Sequence, residues 1–106
     1  MLAEIPNLEI DEAALRAFCE KWGVAELAVF GSVLRDDFGP ESDIDFLVTF
    51  RPNSRHSLLD YPEMEAELSG LVGRPVDLAN RAAIEESRNP FWQREILQTA
   101  RLLFAA

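Results

Sequence analysis

Leu27-Ala28-Val29-Phe30-Gly31-Ser32 ends one apolar run, and ten residues after Ser32 the chain reads Ser42-Asp43-Ile44-Asp45-Phe46-Leu47-Val48-Thr49-Phe50. Both runs have the length and apolar content of buried strands. Acids at i and i+2 of a strand share one face, because successive side chains alternate. Carboxylates that close repel, and each raises the other's pKa unless a cation or dense hydrogen bonding offsets the cost. Neither Lys nor Arg occurs between Ser42 and Phe50, so the simplest cation is a metal. All-oxygen ligands favour Mg²⁺ or Mn²⁺ over zinc or copper. A Gly-Ser pair closing the preceding strand suits the same site, since glycine admits close backbone approach and exposed N–H groups and a hydroxyl can hold phosphate oxygens.

An Asp-x-Asp alone is usually a solvated turn or strand end, and a Gly-Ser pair is weaker still. The combination is more specific: Gly31-Ser32-x-x-Arg35, then Ser42-Asp43-x-Asp45, each element at the edge of an apolar strand. Pro75-Val76-Asp77-Leu78 adds an acid inside another short apolar segment. Three strand-borne carboxylates, Asp43, Asp45 and Asp77, are thus candidates for one cluster.

Gly31-Ser32-Val33-Leu34-Arg35 followed by Pro40-Glu41-Ser42-Asp43-Ile44-Asp45-Phe46-Leu47-Val48 resembles the signature of the minimal nucleotidyltransferases of the polymerase-β-like superfamily. The similarity runs through nearly the whole chain, to Ile96-Leu97 and Arg101-Leu102-Leu103. It departs at Asp36, where many relatives place glycine; Asp36-Asp37 adds negative charge near the expected triphosphate pocket. The expected fold is α/β, a small mixed β-sheet flanked by helices, with residues 1–106 as one domain.

The resemblance implies a mechanism. Asp43 and Asp45 would bind two Mg²⁺ ions, one arriving with the nucleotide, while Asp77 would ligate the second and help deprotonate an attacking hydroxyl. The metals would stabilise both oxygens of an in-line displacement at the α-phosphorus. Gly31, Ser32 and Ser42 would contact the nucleotide, and Arg35 would neutralise charge on the leaving pyrophosphate; an ion pair with Asp36, Asp37 or Glu41 is the alternative for Arg35. Small members resemble the antitoxin half of toxin–antitoxin pairs, which implies transfer of AMP from ATP to a tyrosine hydroxyl of a HEPN-type helical toxin. Adenylylation of a small molecule fits less well, because those relatives carry an extra domain. The competing class is a non-catalytic module that neutralises its partner by occlusion.

Composition bounds these readings. A chain of 106 residues, 48% hydrophobic and 27% charged, has room for one modest core but not for a separate substrate-binding domain. The acceptor must then be small or come from a partner. With a formal net charge of −9, only 10 basic residues and Lys21 the sole lysine, the chain lacks the basic surface that grips a nucleic-acid backbone. Nucleic acid is not the expected substrate, whereas a nucleotide screened by divalent metal is compatible with the charge. No apolar run of about 18 residues and no basic, apolar leader is present, so the expected compartment is the cytoplasm and no membrane is involved.

The remaining segments alternate in type. Leu15, Phe18, Cys19 and Trp22 recur at helical spacing over residues 11–22, with Gly23 as the stop. Cys19 reads as a buried, small hydrophobe. Residues 26–30 and 43–50 read as strands, and Ser32 as the start of a short helix whose N–H groups favour phosphate. His56, the one histidine, reads as a solvated loop residue. A helix is expected from near Pro62 to Leu71, with Glu63, Glu65 and Glu67 on a solvated face, then a strand over 76–79. Asn89-Pro90 signals another helix. Its Phe91 and Trp92 would either cover the sheet or form a patch for homo- or hetero-oligomer contact. Residues 102–104 read as an edge strand.

Overall fold

The computed structural model describes residues 10–31, 43–52, 60–86 and 90–105, with positions 90–93 and 95 as backbone only. The Asp11 side chain accepts a hydrogen bond from Ala13 N–H (2.9 Å) and so caps helix α1, Glu12–Trp22. Gly23, at φ 68°, turns the chain out of the helix in the left-handed region, and its N–H satisfies Cys19 O. The chain then enters β1, Val24–Phe30. The next strand is β2, Ile44–Phe50, followed by α2, Tyr61–Val72, which takes Pro62 in its first turn. Strand β3 (Val76–Asn80), the short α3 (Arg81–Glu85), α4 (Pro90–Thr99) and β4 (Arg101–Ala105) complete the order.

These strands form one mixed sheet in the order β3-β2-β1-β4. β1 runs antiparallel to β2 and β4, whereas β2 and β3 are parallel, joined through α2. Parallel neighbours require a crossover of a dozen or more residues, and helix α2 supplies it. The expected α/β class and mixed sheet are observed. β4 takes the edge position that its sequence suggested.

Alternation along the two central strands gives each face its own core. Leu27 and Val29 of β1 with Ile44, Phe46 and Val48 of β2 pack against Leu15, Phe18 and Cys19 of α1 and Met64 and Leu68 of α2. The opposite face carries Ala28 and Leu47, covered by Ile84 of α3 and Ile96 of α4. This double coverage explains why β2 is almost continuously apolar. Cys19 is fully buried, and burial pushes its thiol up to about 12, as its placement on the apolar face of α1 led one to expect. Helix α3 was not legible: five residues are too few to show a helical repeat, and its signal is a single cap, Asn80 Oδ1 accepting from Ala82 N–H at 2.8 Å.

The glutamates of α2 are not all solvated. Glu67 accepts hydrogen bonds from Lys21 Nζ and Trp22 Nε1, fastening α2 to the end of α1. Burial pulls the Glu67 carboxyl upward, but these two donors and the Lys21 charge outweigh it and hold the carboxyl below its ordinary range. Lys21 is raised in turn, mainly by its hydrogen bond to Glu67. Glu65 accepts the backbone N–H of Leu78 at 2.8 Å. The expectations for His56, Asn89 and the Phe91 and Trp92 side chains fall outside the described residues. Among the described residues no helix is long and apolar enough to cross a membrane.

Two outcomes follow from this packing. Phe46 is the largest fully buried side chain among the described residues, so Phe46→Ala should lower unfolding free energy by about 3–5 kcal/mol. Leu102→Ala, at a position 46% exposed, should stay within about 0.5 kcal/mol; urea denaturation compares the two. A carboxyl held low in the folded state contributes stability that is present above its ordinary pKa and is lost as pH falls through the folded value. Glu67→Gln should therefore flatten the fall in stability seen on acidification from about pH 6 to pH 3, measured as the urea midpoint at each pH.

Candidate functional site

One end of the sheet gathers the C-terminus of β1 and the N-termini of β2 and β3. There Phe30 pairs with Asp45 across the antiparallel β1–β2 ladder, and Gly31 follows at φ 78°, a left-handed conformation that side chains disfavour. A Cβ at Gly31 would stand 2.5 Å from Asp45 Oδ2 and 3.4 Å from its carboxyl carbon. Glycine is thus required twice, by its dihedral and by the carboxylate that occupies the space of a side chain. The sequence showed the glycine, but not which acid it faces.

On the other side of β2, the parallel ladder sets Ile44 opposite Val76, Asp45 opposite Asp77, and Phe46 opposite Leu78. Register partners on neighbouring strands project from the same face about 4.8 Å apart along the hydrogen-bonding direction. Asp45 and Asp77 therefore share the face that bears Leu47 and Ala79, away from α1 and α2. Asp43 lies one residue ahead of β2 and is exposed, Asp77 is exposed, and Asp45 is half-buried. The N–H of Ile44, directly after Asp43, donates to Pro75 O at 2.9 Å, which ties the start of β2 to the entry of β3. Ser32, Arg35 and Ser42 lie outside the described residues.

The donor set, three carboxylates on or beside adjacent strands, is oxygen only, which suits a hard divalent cation. The glycine cradle against Asp45 leaves backbone room next to that set. Among the described residues, no three His, Cys, Asp or Glu side chains are already drawn into an ion-holding group. The fit of Mg²⁺ accordingly rests on the shared face of Asp45 and Asp77, on the position of Asp43, and on the bare glycine backbone against which the Asp45 carboxylate lies. One contact beside this set had no separate sequence signal: Glu65, whose bond to Leu78 N–H holds the peptide that follows Asp77.

Residues 12–103 match the nucleotidyltransferase domain family. The protein adenylyltransferase MntA of Thermococcus cleftensis is 39% identical over 66 residues, which is 62% of this chain and 65% of that protein; the match spans just under two thirds of the relative's length. A solved structure described as a candidate minimal nucleotidyltransferase superposes with a TM-score of 0.63 at 30% identity, covering 85% of this chain and 86% of the other. A toxin–antitoxin crystal structure with AMP-PNP gives a TM-score of 0.67 at 15% identity over 92% of this chain and 75% of its own, a likeness of fold. With its family match across α1 to β4 and its sheet shared with a minimal nucleotidyltransferase, the chain belongs to the nucleotidyltransferase domain family.

Proposed function

We propose that this chain is a metal-dependent nucleotidyltransferase that moves AMP from ATP to a tyrosine hydroxyl of a HEPN-type toxin in the cytoplasm, acting as its antitoxin. The observation that carries the reading is the in-register pair Asp45–Asp77 beside Gly31, whose missing Cβ leaves space for the Asp45 carboxylate. The protein adenylyltransferase relative supports the reaction class, and the toxin–antitoxin fold neighbour with AMP-PNP supports both the nucleotide and the kind of partner. The net charge of −9 argues against a nucleic-acid acceptor.

In this reading Asp43, Asp45 and Asp77 hold Mg²⁺. When bound, two ions supply charge neutralisation at the attacking and leaving oxygens. The rest is done by the chain's own groups. Gly31 and Ser32 present a backbone N–H and a hydroxyl to the terminal phosphates, Ser42 adds a polar contact, and Arg35 balances charge on the departing group. Asp77, at the exposed end of the set, accepts the phenol proton. The tyrosine oxygen then forms a bond to the α-phosphorus, the bond from that phosphorus to the bridging oxygen breaks, and pyrophosphate leaves with the electron pair.

Incubating the protein with its co-expressed toxin, Mg²⁺ and ATP should yield an AMP adduct on a toxin tyrosine, read by mass spectrometry and abolished by EDTA. Asp43→Asn/Asp45→Asn should slow adduct formation at least about 100-fold, the rate equivalent of losing several kcal/mol of charge stabilisation. No adduct with wild type, together with undiminished neutralisation by the double variant, would replace this reading by occlusion. Gly31→Ala should cost about 1–2 kcal/mol for the left-handed backbone. It should also displace the Asp45 carboxylate, so that the adduct rate falls further than the denaturation midpoint explains.

A further inference from the structure

β3 lies at the rim of the sheet, so β2 fixes only one of its sides. A rim strand presents unpaired backbone groups outward, and a slip of one residue would turn every side chain to the other face. Here Asp77 would leave the face of Asp45. Three side chains of α2 guard that rim. Ser69 Oγ donates to Arg74 O at 2.6 Å, Glu65 Oε2 accepts from Leu78 N–H at 2.8 Å, and Tyr61 Oη accepts from Asn80 Nδ2 at 3.1 Å. The helix residues are four apart and so lie along one stripe of α2. Their partners run 74, 78, 80 as the helix runs 69, 65, 61, so the helix is laced antiparallel along the strand.

Of these three contacts, the one from Glu65 reaches the peptide that joins Asp77 to Leu78. Its charged oxygen is the strongest acceptor of the set for a backbone N–H, and it fixes the plane of the peptide in which the Asp77 Cα lies. We infer that Glu65 is a positioning residue for Asp77: it acts from the side of β3 opposite β2 and sets the orientation in which Asp77 joins Asp45. The inference rests on the reading that Asp77 is a metal ligand.

Reach and charge can be separated by substitution. Glu65→Gln keeps a carbonyl oxygen at the same distance, Glu65→Asp keeps the charge but withdraws it by one methylene, and Glu65→Met removes the acceptor. Mn²⁺ would be titrated by calorimetry into each protein with a non-hydrolysable ATP analogue, with Asp77→Asn as reference and circular dichroism to confirm folding. Glu65→Gln should stay within about threefold of wild type, while Glu65→Asp and Glu65→Met should weaken Mn²⁺ binding roughly 10-fold or more, as loss of a ligand-orienting contact does. Hydrogen exchange at Leu78 N–H should quicken in the same two variants. Glu65→Asp carries the test alone if Glu65→Met fails to fold. A merely structural role would lower the folded fraction but leave the affinity of the folded molecules unchanged, and that result would overturn the inference. Should Asp77→Asn also bind Mn²⁺ like wild type, the metal-site reading of Asp77 fails as well; weak binding by Asp77→Asn with normal binding by the Glu65 variants sinks the Glu65 role alone.

Discussion

The parallel pairing of β2 with β3 is the constraint on which the rest depends. Its register determines that Asp45 faces Asp77, and because side chains alternate along a strand, a shift of one residue would separate them by the full thickness of the sheet. What fixes that register is the apolar content on either side of each acid. Ile44, Phe46 and Leu78 are buried against α1 and α2, and a shift would turn these large side chains from their core to the other face. Burial on one face thereby sets the position of the polar groups on the opposite one. The core behind the sheet thus positions the acids, although two of them are exposed.

Mixed topology has a further consequence. An antiparallel β2–β3 pair could have been closed by a short hairpin, with no helix beside the rim; a parallel pair needs a crossover, and the crossover brings α2. That helix does two tasks with neighbouring stripes of its surface. Met64 and Leu68 close the core, while Tyr61, Glu65 and Ser69 bond to β3 or its entry. Glu67 adds a link to α1. Of the three glutamates of α2, which look in sequence like one solvated face, Glu67 makes a helix-to-helix tie and Glu65 a strand clamp, while Glu63 is exposed.

The sequence made some of this legible and hid the rest for physical reasons. Strands β1 and β2, helix α1 with its glycine stop, and the edge position of β4 follow from local periodicity and caps, which depend only on neighbouring residues. The three acids and Gly31 were visible as a pattern, because residue type and spacing carry their chemistry. What could not be read was which strand pairs with which, since register is a long-range property. The left-handed turn at Gly31 against Asp45 is of that kind, as is the bond from Glu65 to Leu78, which joins residues 13 apart. Helix α3 escaped because five residues cannot display a period of 3.6.

The electrostatics of an acidic chain with a carboxylate site are consistent once exposure is considered. Bringing Asp43, Asp45 and Asp77 to one end of a sheet would be costly in a sealed interior, where unlike the surface there is little water to screen like charges. Asp43 and Asp77 are exposed and Asp45 only half-buried, so solvent screening lowers that cost in the protein alone. Under the proposed function the repulsion would grow when a phosphate-bearing ligand displaces the water, and a divalent cation would then enter with it. Under the proposed function, acidity at this site makes nucleotide binding conditional on metal. With 10 basic residues against 19 acidic ones, the proposed site would admit a small, metal-borne triphosphate and repel a bare polyanion.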